Sequence, residues 1–125
     1  MADLDLARRA VAATGWRWMP GMAWARDFAG GQSLGDRSGR ILTEWDAADD
    51  GGRVFRIGPG LLPDLGDPAT VGCLLALVRE RWGDPSLAPL LIDGRWHIGA
   101  GSARSVHMYG ATEGGVLVIA LEAAP

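Results

Sequence analysis

The stretch "DPATVGCLLALVRERWG", residues 67–83, contains the strongest helix signal in the chain. Asp67 has the short acceptor side chain that is typical of an N-cap, and Pro68 suits the first helical position. Apolar side chains then recur at helical spacing, namely Val71, Leu74, Leu75, Val78 and Trp82. Gly83 occupies the position where helices commonly end in a left-handed residue. The stretch therefore predicts a helix over 68–82 with one apolar face directed into a core.

The composition of the whole chain predicts a single domain over 1–125. The chain has 125 residues, of which 48% are hydrophobic, and a chain of this size buries about two-thirds of its unfolded surface. The net charge is −3, and the twelve basic residues, all arginine, are scattered along the chain. Because nucleic-acid binding normally needs a concentrated basic face, this distribution argues against a nucleic-acid partner.

The sequence also predicts where the protein works. No apolar run reaches the roughly 18–20 residues that a membrane-spanning helix needs. The N-terminal "MADLDLARR" lacks the basic start of a secretory signal. We therefore expect a cytoplasmic protein with no membrane partner.

The N-terminal region predicts a helix followed by a bent strand. In "DLDLARRAVAATG", residues 3–15, Asp3 is a candidate N-cap and Gly15 a candidate C-terminal glycine. The apolar face of this helix is predicted to contain Leu4, Ala7 and Val11. In "WRWMPGMAW", residues 16–24, the three tryptophans occupy alternate positions, as on one face of a strand. The "PG" pair at 20–21 predicts a bend that divides the strand into two short pieces.

The central region predicts a loop, a hairpin and a connector. Residues 29–39 are rich in glycine and serine and predict a loop. The runs 40–45 and 53–58 predict two strands joined by an acidic turn. The proline- and glycine-rich "GPGLLPDLGDP", residues 58–68, predicts a connector that leads into the helix over 68–82.

The C-terminal region predicts a second hairpin, a third strand and a final element. Asp93-Gly94 within "LLIDGRWHIG" is a strong hairpin signal. A loop over 99–105 then leads to the strand "VHMYG". Thr112 can cap a helix over 113–124, although two glycines and several β-branched residues leave a closing strand as the alternative. The complete pattern predicts an α+β fold, a mostly antiparallel sheet with two to three packed helices.

The loop "GAGSAR", residues 99–104, suggests one possible chemistry. Its backbone N–H groups and the Arg104 guanidinium could bind an anion, with Gly101 and Ser102 beside them. His97 and His107 flank the loop and would approach each other if their strands pair. These five residues form the alternative prediction of a small-ligand or nucleotide site.

No known catalytic pattern is completed by these residues. The loop matches neither the dinucleotide fingerprint nor the lysine-bearing phosphate loop, and it has no nucleophile elbow. Two histidines with Asp93 lack the closely spaced third ligand of most metal sites. The apolar neighbours of the single cysteine, Cys73, predict a buried thiol. We therefore predict no catalytic residues, no metal and no cofactor, and a protein that is not an enzyme.

Six tryptophans are the most unusual feature of the composition. A buried tryptophan removes on the order of 200 Å² from water, so a role in the core is the default interpretation. Tryptophan and arginine also dominate binding hot spots, which makes Trp16, Arg17, Trp18 and Trp24 the candidate partner-binding residues. We expect Trp16 and Trp18 to face the helix over 68–82 and Trp24 to lie at the surface.

Three blocks of the chain resemble small uncharacterised proteins encoded in phage and prophage genomes of GC-rich bacteria. The blocks are "ATGWRWMPGM", "LPDLGDPATVGCLLALVRERWGDP" and "GATEGGVLVIALEAAP". The order of elements is also similar to the phage α-β-α sandwich domain. The resemblance implies that the last segment is a helix and that the protein works in a bacterial host cell. It further implies a non-enzymatic accessory protein that binds another protein or itself, and it brings no catalytic residues.

Overall fold

The computed structural model describes residues 4–26, 38–40 and 61–125. Within these ranges the chain forms three helices, α1 (Leu4–Ala12), α2 (Pro68–Trp82) and α3 (Glu113–Ala123). It also forms six strands, β1 (Ala23–Arg26), β2 (Ser38–Arg40), β3 (Leu61–Pro63), β4 (Leu90–Ile92), β5 (Arg95–Ala100) and β6 (Val106–Gly110). The strands make two antiparallel sheets on which helices pack, which confirms the predicted α+β class.

None of the described helices has the length and apolar content of a membrane span.

The first sheet has the strand order β2-β1-β3. Ala25 of β1 lies opposite Ser38 on one side and Leu62 on the other. The predicted loop 29–39 and connector 58–68 were wrong where they overlap β2 and β3. Both strands are only three residues long, which is too short for an alternating hydrophobic pattern to be visible in the sequence. They are identified only by their pairing with β1. Among the described strands β3 pairs only with β1, so Pro63 lies in an edge strand, where a missing N–H is tolerated. Except for Arg40, the predicted hairpin over 40–58 lies outside the described residues.

The second sheet is the meander β4-β5-β6. Asp93 and Gly94 have φ angles of 49° and 80°, as a type I′ turn requires at both central positions. The predicted hairpin is therefore confirmed. Ile98 on β5 lies opposite Met108 on β6, and both side chains are buried beneath the helices.

Helix α2 has the bounds and caps that the sequence predicts. The Asp67 carboxylate accepts a hydrogen bond from the Thr70 N–H at 3.0 Å, and Gly83 ends the helix at φ 64°. Leu74 and Val78 are buried as expected, whereas the buried residues Thr70 and Leu77 lie outside the predicted face. The buried surface is wider because α2 packs on α3 and also accepts a hydrogen bond from β1, Ala23 N–H to the Thr70 hydroxyl at 2.8 Å.

Helix α3 lies at the centre of the fold. It packs on α1, α2, β5 and β6, and most of its residues are buried, namely Gly114, Gly115, Val116, Leu117, Val118, Ala120 and Leu121. A helix surrounded in this way is apolar around most of its circumference. The predicted helix and its Thr112 cap are confirmed, the cap by a bond from the Gly115 N–H to the Thr112 hydroxyl at 2.9 Å.

Helix α1 and the segment after it depart from the prediction. Ala7 and Ala10 are fully buried while Leu4 is 40% exposed, because the small alanine side chains permit close packing against β3 and α3. The candidate cap Asp3 lies outside the described residues. Residues 16–19 are not a strand, since only Ala23–Arg26 pairs with neighbours. The predicted bend is confirmed by the positive φ of Gly21 and by a bond from the Met22 N–H to the Met19 carbonyl at 3.1 Å.

Candidate functional site

Strand β4 presents an uncovered apolar surface, which we call the β4 edge (Leu90, Leu91 and Ile92). These side chains are 61%, 60% and 47% exposed. Leu91 points to the face opposite Leu90 and Ile92 because side chains alternate along a strand. Both faces of β4 are therefore in solvent, and among the described strands only β5 pairs with it.

The geometry of the hairpin directs backbone groups to this edge. Ile92 and Arg95 flank the two-residue turn, so they form the hydrogen-bonded pair that closes such a hairpin. Because the hydrogen-bonding direction alternates, the N–H and C=O of Leu91 point away from β5. The β4 edge thus combines apolar side chains with an outward donor and acceptor, the combination that pairs with another strand.

The outer face of the second sheet brings two histidines together. His97 lies opposite Tyr109, and His107 lies opposite Gly99 on the same face. His97 Nδ1 and His107 Nε2 are 3.1 Å apart, which confirms that pairing of the strands lets the rings approach. The Tyr109 ring packs on both, with centroid distances of 5.4 Å to His97 and 5.7 Å to His107.

Metal-ligating residues around this pair are few. Asp93, the third residue considered with the histidines, is an exposed turn residue. Across residues 4–26, 38–40 and 61–125, no group of three or more His, Cys, Asp or Glu side chains could hold a metal ion. The protein therefore contributes two imidazoles at this place.

The predicted loop over 99–105 begins later in the structure, because Gly99 and Ala100 belong to β5. Hydrogen bonds within the protein hold Arg104 of this loop. The Arg104 guanidinium donates to the Asp84 carboxylate at 2.7 Å, the Ser86 hydroxyl at 2.6 Å and the Gly99 carbonyl at 3.2 Å. Gly101 has φ 79°, and a short 3₁₀ turn spans Ser102–Arg104. Arg104 therefore joins this loop to the connection between α2 and β4, and an anion would compete with Asp84 for it.

Asp84 is the acceptor at the centre of that connection. Hydrogen bonds from the hydroxyl and N–H of Ser86 lower the pKa of the Asp84 carboxyl, and the Arg104 cation lowers it further. The carboxylate form is thus the one that the folded loop favours.

The tryptophan segment lies along α2. Trp16 and Trp18 pack edge to face, with centroids 5.5 Å apart, and both are partly buried against the core. Arg17 is exposed and forms an ion pair with Glu80 of α2. We expected Trp16 and Trp18 to face inward and Trp24 to lie at the surface. This expected difference was wrong, because Trp24 is also partly buried against the core. Whether these four residues bind a partner stays a prediction.

Cys73 is partly exposed, so the prediction of a buried thiol was wrong. The turn at Pro20 covers one side of the Cys73 side chain, where the thiol donates to the Pro20 carbonyl at 3.5 Å. The other side of Cys73 is not covered, so its exposure is intermediate. Burial raises the pKa of the Cys73 thiol, and the negative charge of Asp67 raises it further. Cys73 is therefore a poor nucleophile at neutral pH.

The β4 edge is the feature that sequence reasoning missed. An apolar run such as "LLI" ordinarily predicts a buried strand. The available signal was its position, since Pro89 precedes it and a two-residue turn follows, which leaves a very short strand at the end of a meander.

Comparison of the chain with protein-family models, curated proteins and solved structures finds no match. The resemblance to phage-encoded proteins therefore rests on the three sequence blocks and on the predicted order of elements.

Proposed function

We propose that this chain is a non-enzymatic protein-binding domain, and that its partner at the β4 edge is a second copy of itself. The single observation that carries the proposal is the exposure of Leu90, Leu91 and Ile92. Charged side chains are one of the common protections of an edge strand against pairing, and these three positions carry none.

A two-fold axis through Leu91 makes the β4 edge self-complementary. Antiparallel pairing around that axis places Leu91 opposite its own copy, where the outward N–H and C=O groups of the two chains bond reciprocally. Leu90 then lies opposite Ile92 of the second copy, so every cross-strand pair is apolar. The result is one continuous six-stranded sheet in which the β4 edges of both copies are covered.

The expected dimer is weak. Three residues on each side bury far less than the ~1,200 Å² of a stable interface, and Pro89 has no N–H with which to extend the pairing. A dimer that forms and dissociates with protein concentration fits a regulatory or accessory role. The resemblance to phage-encoded proteins supports placing that role in the cytoplasm of a bacterial host.

Light scattering coupled to size exclusion tests the proposal across a concentration series. We expect the mass of the native chain to rise from monomer towards dimer, and Leu91→Lys to stay monomeric because a lysine at the edge opposes pairing. Val106→Lys is the matched control, since Val106 is 38% exposed on β6, the opposite edge of the same sheet. A native monomer at every concentration, or equal loss of dimer in both variants, would overturn the proposal.

The alternative function is a small-ligand or nucleotide site at Gly101, Ser102 and Arg104 with His97 and His107. The contact between the histidines favours it, whereas the bonds from Arg104 to Asp84 and Ser86 oppose it. Thermal-shift screening with nucleotides and inorganic phosphate tests it, and a flat response would reject it.

A further inference from the structure

We propose that His97 and His107 form a two-histidine site for a divalent transition-metal ion, with Cu²⁺ bound most tightly. The inference is independent of the proposed dimer, because the histidines lie on β5 and β6 and not on β4. It revises the sequence-based expectation of no metal, because the structure brings the two ring nitrogens to 3.1 Å from each other, and it assigns a ligand class to the outer face of the second sheet.

The spacing of the two ring nitrogens carries the argument. Two imidazole nitrogens at ~2.0 Å from one metal ion lie about 2.8 Å apart in square-planar geometry and about 3.3 Å apart in tetrahedral geometry. His97 Nδ1 and His107 Nε2 are 3.1 Å apart, between these values. The backbone pairing of β5 with β6 already sets this spacing, so an ion would need only a rotation of the rings.

The surroundings permit an ion to enter and stay. His107 is exposed and His97 partly so, which leaves a direct path from solvent. The Tyr109 ring packs on both imidazoles and keeps them side by side before any ion arrives. Water molecules complete the coordination shell, because the described residues supply no third His, Cys, Asp or Glu.

The preference for Cu²⁺ follows from the ligand type and number. Imidazole suits copper, nickel and zinc, and affinity among divalent ions peaks at copper in the Irving–Williams order. Copper also tolerates a coordination plane with two protein nitrogens and exchangeable water, whereas structural zinc normally takes four protein ligands.

Titration calorimetry with Cu²⁺ and Zn²⁺ tests the site in the full chain. A Cys73→Ser background removes the thiol, which would otherwise bind or reduce copper. We expect one Cu²⁺ per chain, bound more tightly than Zn²⁺. Because second-shell changes at metal sites already cost about 10–100-fold in affinity, His97→Gln and His107→Gln should each weaken binding by at least ~10-fold.

Two controls connect the signal to this pair. Arg95→Gln changes an exposed residue on the same face of β5, and Tyr109→Phe keeps the ring while removing the hydroxyl; both should retain binding. Electron paramagnetic resonance of the Cu²⁺ complex should show hyperfine coupling to two nitrogens, reduced to one in His107→Gln. Binding that survives both histidine variants, or is lost in Tyr109→Phe, would overturn the proposal. Thermal unfolding without metal shows that each variant is folded.

Discussion

The segments "VLVIAL", residues 116–121, and "LLI", residues 90–92, are both uninterrupted apolar runs, yet they lie in opposite environments. The first forms the central part of α3, where nearly every side chain is buried. The second forms β4, where all three side chains are exposed. Hydrophobicity alone therefore does not place a segment of this chain in the core. What differs is the number of elements that surround each one: α3 contacts two helices and two strands, while β4 is seen to pair only with β5.

Leucine-to-alanine substitution in each segment gives the largest expected contrast. Leu117 is fully buried and Leu91 is 60% exposed. We expect Leu117→Ala to lower the free energy of unfolding by about 2–5 kcal/mol, because it loses burial and leaves a cavity. Leu91→Ala should change it by less than about 0.5 kcal/mol. Urea unfolding of both variants measures the contrast, and similar losses would mean that the β4 edge is covered in solution.

Glycine-to-alanine substitution gives the second contrast, between α3 and α2. A Cβ at Gly114 would lie 2.6 Å from the Leu65 carbonyl oxygen, whereas at Gly72 it would meet nothing within 4 Å. We expect Gly114→Ala to destabilise the fold by about 1–3 kcal/mol, because the backbone of residue 65 must move. Gly72→Ala should stabilise it by about 0.5–1 kcal/mol, since alanine favours the helix.

Thermal denaturation of these two variants is the measurement. A stable Gly114→Ala protein would show that α3 does not approach Leu65 as closely as the structure indicates. Loss of stability in Gly72→Ala would show instead that the exposed face of α2 is covered by another part of the chain.

The smallest expected effect concerns the connection that holds β4 in place. The folded state lowers the pKa of Asp84, so its contribution to stability is present above the carboxyl pKa of the unfolded chain, about 3.9, and is lost as the pH falls through the folded value. Asp84→Asn lacks this contribution. We therefore expect the native chain to exceed Asp84→Asn in stability at neutral pH and the difference to shrink in acid.

Urea midpoints at neutral and acidic pH measure this difference. Ser86→Ala is the companion variant, because Ser86 is the largest cause of the lowered pKa, and it should reduce the same pH dependence. A difference between the native chain and Asp84→Asn that grows in acid would contradict the assignment.

Local signals predicted the elements that short-range chemistry determines. The caps of α2 and the Asp93-Gly94 turn are encoded within a few neighbouring residues, and both are found where predicted. Strands β2 and β3 were not predicted, because three-residue strands form only through pairing with a partner that is distant in sequence. Helix α3 was ambiguous because its two glycines and several β-branched residues lower its helix propensity, whereas packing against α1, α2, β5 and β6 stabilises it as a helix.

The candidate sites divide in the same way. The approach of His97 to His107 followed from two predicted strands and a short loop. The exposure of β4 and the hydrogen bonds of Arg104 could not be predicted from the sequence, because each depends on which elements are nearby in space. The same holds for Trp24, whose partial burial depends on the core beneath β1.

The hydroxyl of Thr70 has a consequence for how the fold opens. It accepts from the Ala23 N–H while donating to the Asp67 cap at 3.1 Å, and the Ala23 carbonyl accepts from the Asp64 N–H. A single residue, Ala23, is thus bonded to the start of α2 through its N–H and to the residue after β3 through its carbonyl. Native-state hydrogen exchange should find these amides protected to the same degree, so that the first sheet and α2 unfold as one cooperative unit.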